Sequence, residues 1–377
     1  MDKKRYSDAH APLKKPLRVA LVHDGLNQFG GAERVLLALA EIFHDAPIYT
    51  LFYDKEIFGG FFSGREIKTS FLDNPVVRRY HRLFIPFMAL AAASINLGDR
   101  YDLIITSSAS FAKGVRYGHG KHLSYVHALL RYAWDADAHL KTYFPAAVVK
   151  LILPIAGYLK WWDRKTGQKP DLILTNSRHT QAKIKAHYGR DAGIIHPPLD
   201  ESKFYLDASV AKGNYFLSFG RIINYKRHDI IIEAFEKLSL PLVIAGAGTD
   251  ERIIRRLIKS PNIKMIGRVH DHELRALING AQACIFPQIE EFGLVAAESI
   301  ACGTPIIALN RGGFRDILQD GINGIGLEEQ SAEAIIGAVQ KLEKMRFDRR
   351  EVAATAAKFS KSNFQRRMLE IVNSLEL

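Results

Sequence analysis

From Leu17 onward, short apolar runs alternate with longer stretches in which apolar positions recur every three or four residues. RVALVH is followed by GAERVLLALAEIF, and then by PIYTLFY, DLIITSS, KHLSYVH and DLILTN. Short β-branched runs bounded by turns read as strands, and the 3.6-residue period reads as helices that cover them. The alternation predicts parallel strands joined by crossover helices. Past Ile195 the rhythm pauses at HPPLDESKFYLDASVAKGN, whose paired prolines and polar residues predict a linker over 196–212. A second alternation then begins: YFLSFGR, HDIIIEAFEKL, PLVIAGAG, DERIIRRLIKS, NIKMIGR, HELRALINGA, ACIFPQ, GLVAAESIACG, PIIALN.

The pattern divides the chain into a basic tail over 1–16, a first domain over 17–195 and a second over 213–355. The final run is helical, and its end, about 356–377, is expected to pack back on the first domain. Two doubly wound domains in tandem are expected to face each other across a cleft. Sheets of this kind bind ligands beyond the carboxyl ends of their strands, so candidate chemistry is sought just after each strand.

Composition narrows the classes. The chain has 377 residues, 47% of them hydrophobic, enough for two domains with their own cores. A formal net charge of +12 favours an anionic partner: nucleic acid, an acidic membrane surface or a phosphorylated small molecule. No nucleic-acid module and no basic stripe with interleaved aromatics is present, so nucleic acid is not expected. Cys284 and Cys302, the only cysteines, lie in apolar surroundings without metal-ligand spacing and indicate a reducing, cytoplasmic setting. The N-terminal residues lack the apolar core of a signal peptide. RLFIPFMALAAASINL is too short to span a bilayer, and YFPAAVVKLILPIAGYLKWW is interrupted by Lys150 and Pro154. Their basic neighbours, Arg78, Arg79, Arg82, Lys160, Arg164 and Lys165, suit either buried helices or segments resting on an anionic bilayer.

Three stretches carry candidate chemistry. HDGLNQFGGAERV supplies Gly25, Gly30 and Gly31 but not the glycine spacing of a dinucleotide fold, and no Walker A sequence exists. Gly30 and Gly31 immediately before a helix let backbone amides approach an anion, although a ligand-free tight turn has the same sequence. Arg221 and Lys226 follow the first strand of the second domain, where cations can neutralise a phosphate or simply decorate a solvated loop. In QIEEFGLVAAESIA, the amides of Phe292, Gly293 and Leu294 lie at a helix N-terminus beside Glu290, Glu291 and Glu298. Amides suit phosphate and carboxylates suit hydroxyls, so a ligand carrying both, a sugar nucleotide, is expected. Asp135-Ala136-Asp137 and His270-x-His272 are weak metal spacings, and no metal or other cofactor is expected.

Glu290-x7-Glu298 in EEFGLVAAESIACGTPIIA, followed by RGGFRDIL and DGINGI and paired with Arg221, Lys226 and GGAERV, resembles the retaining family-4 glycosyltransferases of the GT-B fold. The resemblance extends from about Leu17 through most of the chain. SYVHALLRYAWD is similar to a subgroup of bacterial polysaccharide mannosyltransferases, many of which use GDP-mannose. The resemblance implies that Glu298 binds the donor ribose, that Glu290 lies by the transferred sugar, and that Arg221, Lys226 and Gly31 hold the diphosphate. It places the Val269 backbone at the base and His127 near the donor sugar, with Asp24 and Arg131 as further cleft candidates. Many members have glycine where this chain has Glu291. The implied reaction is metal-independent and retaining, with a hexose moved onto a glycan or polyprenyl-diphosphate-linked glycan, or with a UDP-sugar as the alternative donor. An anionic membrane surface at the cytoplasmic face is a further expected partner.

Overall fold

The computed structural model describes residues 16–135 and 146–376, the side chains of 146–154 excepted. The expected tail over 1–16 therefore lies outside the described residues but for Pro16, as does Asp137. The chain forms two compact units, one made of Met1–Pro198 and Ser362–Leu377, the other of Leu199–Lys361.

The first unit contains a parallel sheet of β1 (Val19–His23), β2 (Ile48–Thr50), β3 (Ile67–Thr69), β4 (Leu103–Ser108), β5 (Lys121–Val126), β6 (Leu172–Thr175) and β7 (Gly193–Ile194). Its order is β3-β2-β1-β4-β5-β6-β7. β1 and β4 are buried along their whole length, as strands covered by helices on both faces must be. The helix Gly31–Ile42 buries Val35, Leu36, Ala38 and Leu39, the face its periodicity predicts.

The second unit repeats the plan with β8 (Phe216–Phe219), β9 (Leu242–Ala245), β10 (Ile263–Gly267), β11 (Cys284–Phe286), β12 (Ile306–Leu309) and β13 (Gly324–Leu327). Its order is β10-β9-β8-β11-β12-β13. In both sheets the winding direction reverses beside the first strand, between β1 and β4 and between β8 and β11. Loops leaving the strands on either side of such a reversal border the natural ligand crevice of each sheet.

Two boundaries differ from the sequence expectation. The stretch 196–212 does not behave as a free linker from Leu199 on: Leu199 and Phe204 are buried in the second unit's core, and the Leu199 amide donates to Phe359 O at 2.8 Å. Two apolar anchors within a polar, proline-containing stretch were enough to tie it down. The final helical run is interrupted. Helices Ala332–Glu343 and Arg349–Ala354 and the short 3-10 turn Ala357–Phe359 belong to the second unit, while Phe364, Met368 and Val372 of helix Lys361–Ser374 enter the first unit's core beside Val35 and Tyr125.

Candidate functional site

In the second unit, the loop after β8 carries Arg221 and Lys226, and the loop after β11 carries Glu290 to Gly293; both strands border the reversal point. Arg221 is exposed. Lys226 is buried, and its Nζ donates to Glu290 Oε1 in an ion pair that joins positions 64 apart in sequence. Gln288 Nε2 stands 3.5 Å from the same oxygen. Two charges withdrawn from water in this way are retained at a cost in desolvation, which their mutual attraction and added hydrogen bonds must offset.

The turn after β11 is shaped by glycines. Gly293 adopts φ 99° and begins the helix Leu294–Ala301, and a β-carbon on it would lie 2.3 Å from the Phe314 ring. Both the backbone angle and the space exclude other residues. Beneath it runs the RGGF turn: a β-carbon on Gly312 would meet Glu290 O at 2.7 Å, and one on Gly313 would meet Glu291 O at 2.3 Å. The Gly313 amide donates to Glu290 O at 2.7 Å. The two glycines thus let one loop support the other directly, backbone on backbone. Phe292 puts its ring into the core against Phe359, so only its main chain remains for a ligand. The amides of Gly293, Leu294 and Val295 stand at a helix N-terminus, where intrahelical acceptors are lacking and the positive end of the dipole favours an anion. Glu298 is buried on the fifth residue of this helix.

The end of β10 leads to Val269, half-buried against the core, at the edge of a cavity of about 700 Å3 whose lining includes Lys203, Arg268, His270, His272 and Arg275. His270 and His272 stack with ring centroids 6.0 Å apart, and His270 caps helix Asp271–Gly280. Among the described residues no group of three or more metal-ligating side chains occurs.

In the first unit, Gly30 caps the helix Gly31–Ile42 without a side chain, and Glu33 occupies its first turn. A β-carbon on Gly30 would stand 3.1 Å from Glu33 Oε2, so that glycine makes room for a carboxylate as well as for any anion. Asp24 differs from the sequence expectation of a ligand-facing group. Its Oδ2 accepts from the amides of Ala109 and Ser110 and its Oδ1 from those of Phe111 and Ala112, at 2.6–2.8 Å. All four bonds fix the loop after β4, which makes Asp24 a scaffold residue. Arg131 opens a short helix, Arg131–Trp134, and is half-buried.

His127 follows β5 and is buried, with Nε2 2.8 Å from Ser107 Oγ on β4. Burial, with His23 nearby, lowers its pKa to about 3, so the ring is neutral near neutral pH. Ser107 also meets His23 Nδ1 at 3.1 Å, and His23 Nε2 lies 3.4 Å from Glu33 Oε1. Sequence reasoning missed His23, Glu33 and Ser107. Ser107 carries no motif, and His23 and Glu33 sit inside segments that read as an ordinary strand end and helix.

Two reversed parallel sheets with charged and glycine-shaped loops at their reversal points define a GT-B architecture. Residues 29–203 match the family model Glycosyltransferase Family 4, and residues 207–359 match Glycosyl transferases group 1. The chain belongs to the family-4 glycosyltransferases of the GT-B fold. Anabaena HepE in complex with UDP-glucose superposes with a TM-score of 0.68 at 17% identity, over 96% of this chain and 100% of that one. An uncharacterized glycosyltransferase of Methanocaldococcus jannaschii is 24% identical over 51% of this chain and 55% of its own length. The O-antigen chain mannosyltransferase C of Escherichia coli is 29% identical over 34% of this chain and 37% of its own. The matched region spans roughly half or less of these curated relatives.

Proposed function

We propose that this protein transfers a hexose, with retention, from a nucleoside diphosphate sugar to a glycan in surface polysaccharide synthesis, with GDP-mannose the favoured donor. The observation that carries the reading is the second unit's loop pair. A buried lysine, Lys226, and a half-buried carboxylate, Glu290, pair across two loops beside the N-terminus of the helix that bears Glu298. An arriving diphosphate takes Lys226, Arg221 and the Gly293 and Leu294 amides as partners. Glu290 is then released to accept from sugar hydroxyls, while Glu298 accepts from the ribose and the Val269 backbone meets the base. On the first unit, Gly30 and Gly31 leave room for the diphosphate, and His127 addresses the sugar.

In the transfer itself the bond from the anomeric carbon to the diphosphate oxygen breaks as the acceptor hydroxyl oxygen bonds to that carbon on the same face. The hydroxyl proton passes to the departing phosphate oxygen. Fixed cations and amides stabilise the charge that builds on the leaving group, and they do so without reorganising. Similarity to the O-antigen mannosyltransferase supports mannose, and the likeness to HepE with UDP-glucose supports a UDP-sugar as the second reading.

The test is a thermal-shift and transfer screen against GDP-mannose and the UDP-hexoses, because a donor that binds the native state raises its melting temperature. Glu298→Ala is expected to weaken nucleotide binding about tenfold or more, and Glu290→Ala to reduce transfer more than binding. Equal, negligible effects of both sink the assignment.

A lipid-linked acceptor fits the first unit's surface. Leu83, Phe87 and Leu90 expose 61%, 52% and 59% of their surface at helical spacing, with Val76, Tyr80 and Arg79 exposed just before them. Apolar side chains rimmed by arginine suit the interface of an anionic bilayer. Arg78, expected in this role, instead pairs with Asp73 at 2.8 Å. No described helix is long and apolar enough to cross a membrane.

A further inference from the structure

Four polar groups in the first unit form one hydrogen-bonded line: Glu33 Oε1 to His23 Nε2 at 3.4 Å, His23 Nδ1 to Ser107 Oγ at 3.1 Å, and Ser107 Oγ to His127 Nε2 at 2.8 Å. Each is buried, with 2% of His23, 8% of Glu33, 0% of Ser107 and 8% of His127 exposed. They come from four elements: the end of β1, the first turn of the following helix, β4 and the residue after β5. Burying this much polarity is costly unless the groups satisfy one another.

The line has a direction. With Glu33 a carboxylate, which can only accept, and one proton on the His23 ring, that proton lies on Nε2 and Nδ1 is bare. The bare Nδ1 accepts from the Ser107 hydroxyl. Ser107 Oγ, its proton committed, accepts from His127 Nε2–H. A neutral imidazole has one N–H, which leaves His127 Nδ1 as an acceptor. Burial keeps His127 neutral near pH 7, so the choice of nitrogen is a real one.

We propose that Glu33, His23 and Ser107 are positioning residues that hold His127 in the Nε2–H form, so that Nδ1 serves as a hydrogen-bond acceptor for a sugar hydroxyl. The role for the hydroxyl rests on the glycosyltransferase reading, whereas the protonation pattern stands independently of it. The same line explains Gly30, since a side chain there would press on the Glu33 carboxylate. The serine hydroxyl transmits the polarity set by the carboxylate, and neither its size nor its burial can replace that function.

The deciding measurement is long-range proton–nitrogen NMR on the full chain carrying nitrogen-15 histidine, without substrate, with the His127 signals identified by their loss in His127→Gln. The expected spectrum shows a protonated Nε2 and a bare Nδ1 on His127. A protonated Nδ1 in the unsubstituted protein overturns the proposal, whatever any variant does. Ser107→Ala is expected to mix the two forms, and Ser107→Thr, which keeps a hydroxyl, to restore the first. An unchanged pattern in a folded Ser107→Ala also overturns it. With a confirmed donor, Ser107→Ala is expected to lower kcat about tenfold to hundredfold, with KM for the donor nearly constant and recovery in Ser107→Thr. If the tautomer is as expected and no sugar nucleotide is ever turned over, the hydrogen-bonded line survives and the reading of the function fails.

Discussion

The two units share one topology and build their ligand-side loops by opposite means. In the first, side chains do the fastening: one carboxylate, Asp24, gathers four consecutive amides of the loop after β4, and Glu33, His23, Ser107 and His127 link the neighbouring strand ends. In the second, apart from the Lys226–Glu290 pair, backbone lies on backbone. A β-carbon on Gly246 would come within 1.8 Å of Gly220 O, one on Gly248 within 2.1 Å of Ile222 O, and Gly312 and Gly313 support the Glu290 turn. A fastening of the first kind depends on charge and protonation, and one of the second kind depends on the absence of atoms. The two should therefore break under different perturbations.

The largest effect is expected at Asp24. Asp24→Ala strands four amides at once, and at roughly 1 kcal/mol or more for each unsatisfied group the loss is on the order of 4 kcal/mol. It is read as a lower urea midpoint, with faster hydrogen exchange at residues 109–112. Asp24→Asn, which retains one acceptor oxygen, should recover part of the loss.

Gly246→Ala tests the other unit. With φ at 142° and a backbone oxygen in the way, it is expected to cost about 3 kcal/mol. Gly60→Ala, where no atom lies within 4 Å of the new carbon, is the control and should change stability by less than about 0.5 kcal/mol. If Gly246→Ala is equally silent, the close backbone packing is not what holds those loops.

Acid should separate the units without any substitution. Burial lowers His122 and His127 of the first unit to about 3 and His228 of the second to about 4. The unfolded chain, with histidines near 6.5, binds these protons first, so stability is full above about pH 6.5 and is lost as pH falls toward those folded values. Each such histidine contributes a slope of about 1.4 kcal/mol per pH unit between about pH 4 and 6. His81 and His187, also lowered and also in the first unit, add to its share, so hydrogen exchange followed from pH 7 to 5 should show the first unit weakening more steeply than the second. Equal slopes contradict the neutral, buried state of His122 and His127.

The smallest effect concerns the exposed apolar surface of the first unit around Leu83, Phe87 and Leu90. Arg79→Gln is expected to weaken binding to vesicles containing phosphatidylserine by about 1 kcal/mol, and Leu83→Ser with Phe87→Ser to weaken it further, all without altering nucleotide affinity. Sedimentation with the vesicles measures it, and indifference to all three substitutions removes the membrane from the account.

The same contrast explains what could be read in the sequence. Strands announce themselves through buried β-branched runs, and glycines that permit close approach stand out as letters, as in GGAERV, EEFG and RGGF. Hydrogen-bond partners do not: His23 and Ser107 lie 84 positions apart, and a serine in a buried strand looks like any other. Asp24 is a cleft candidate through the family resemblance, but the four amides that claim it belong to a loop no motif marks. Lys226 and Glu290 were both assigned to the ligand, and their pairing with each other became visible only in three dimensions. The polar stretch over 196–212 read as a linker because proline and charge dominate it, and the weight of Leu199 and Phe204 lay in contacts that sequence does not display.

The helix Lys361–Ser374 has a consequence for how the molecule comes into being. Phe364, Met368 and Val372 complete a core whose other members, from Val19 to Ile195, are all made earlier. On the ribosome the first unit emerges first yet must wait for the last segment to seal it, while Leu199–Lys361 has all of its own residues sooner. The half synthesised second is the one equipped to finish folding first, and an early interruption of translation leaves the other with an open, apolar seam.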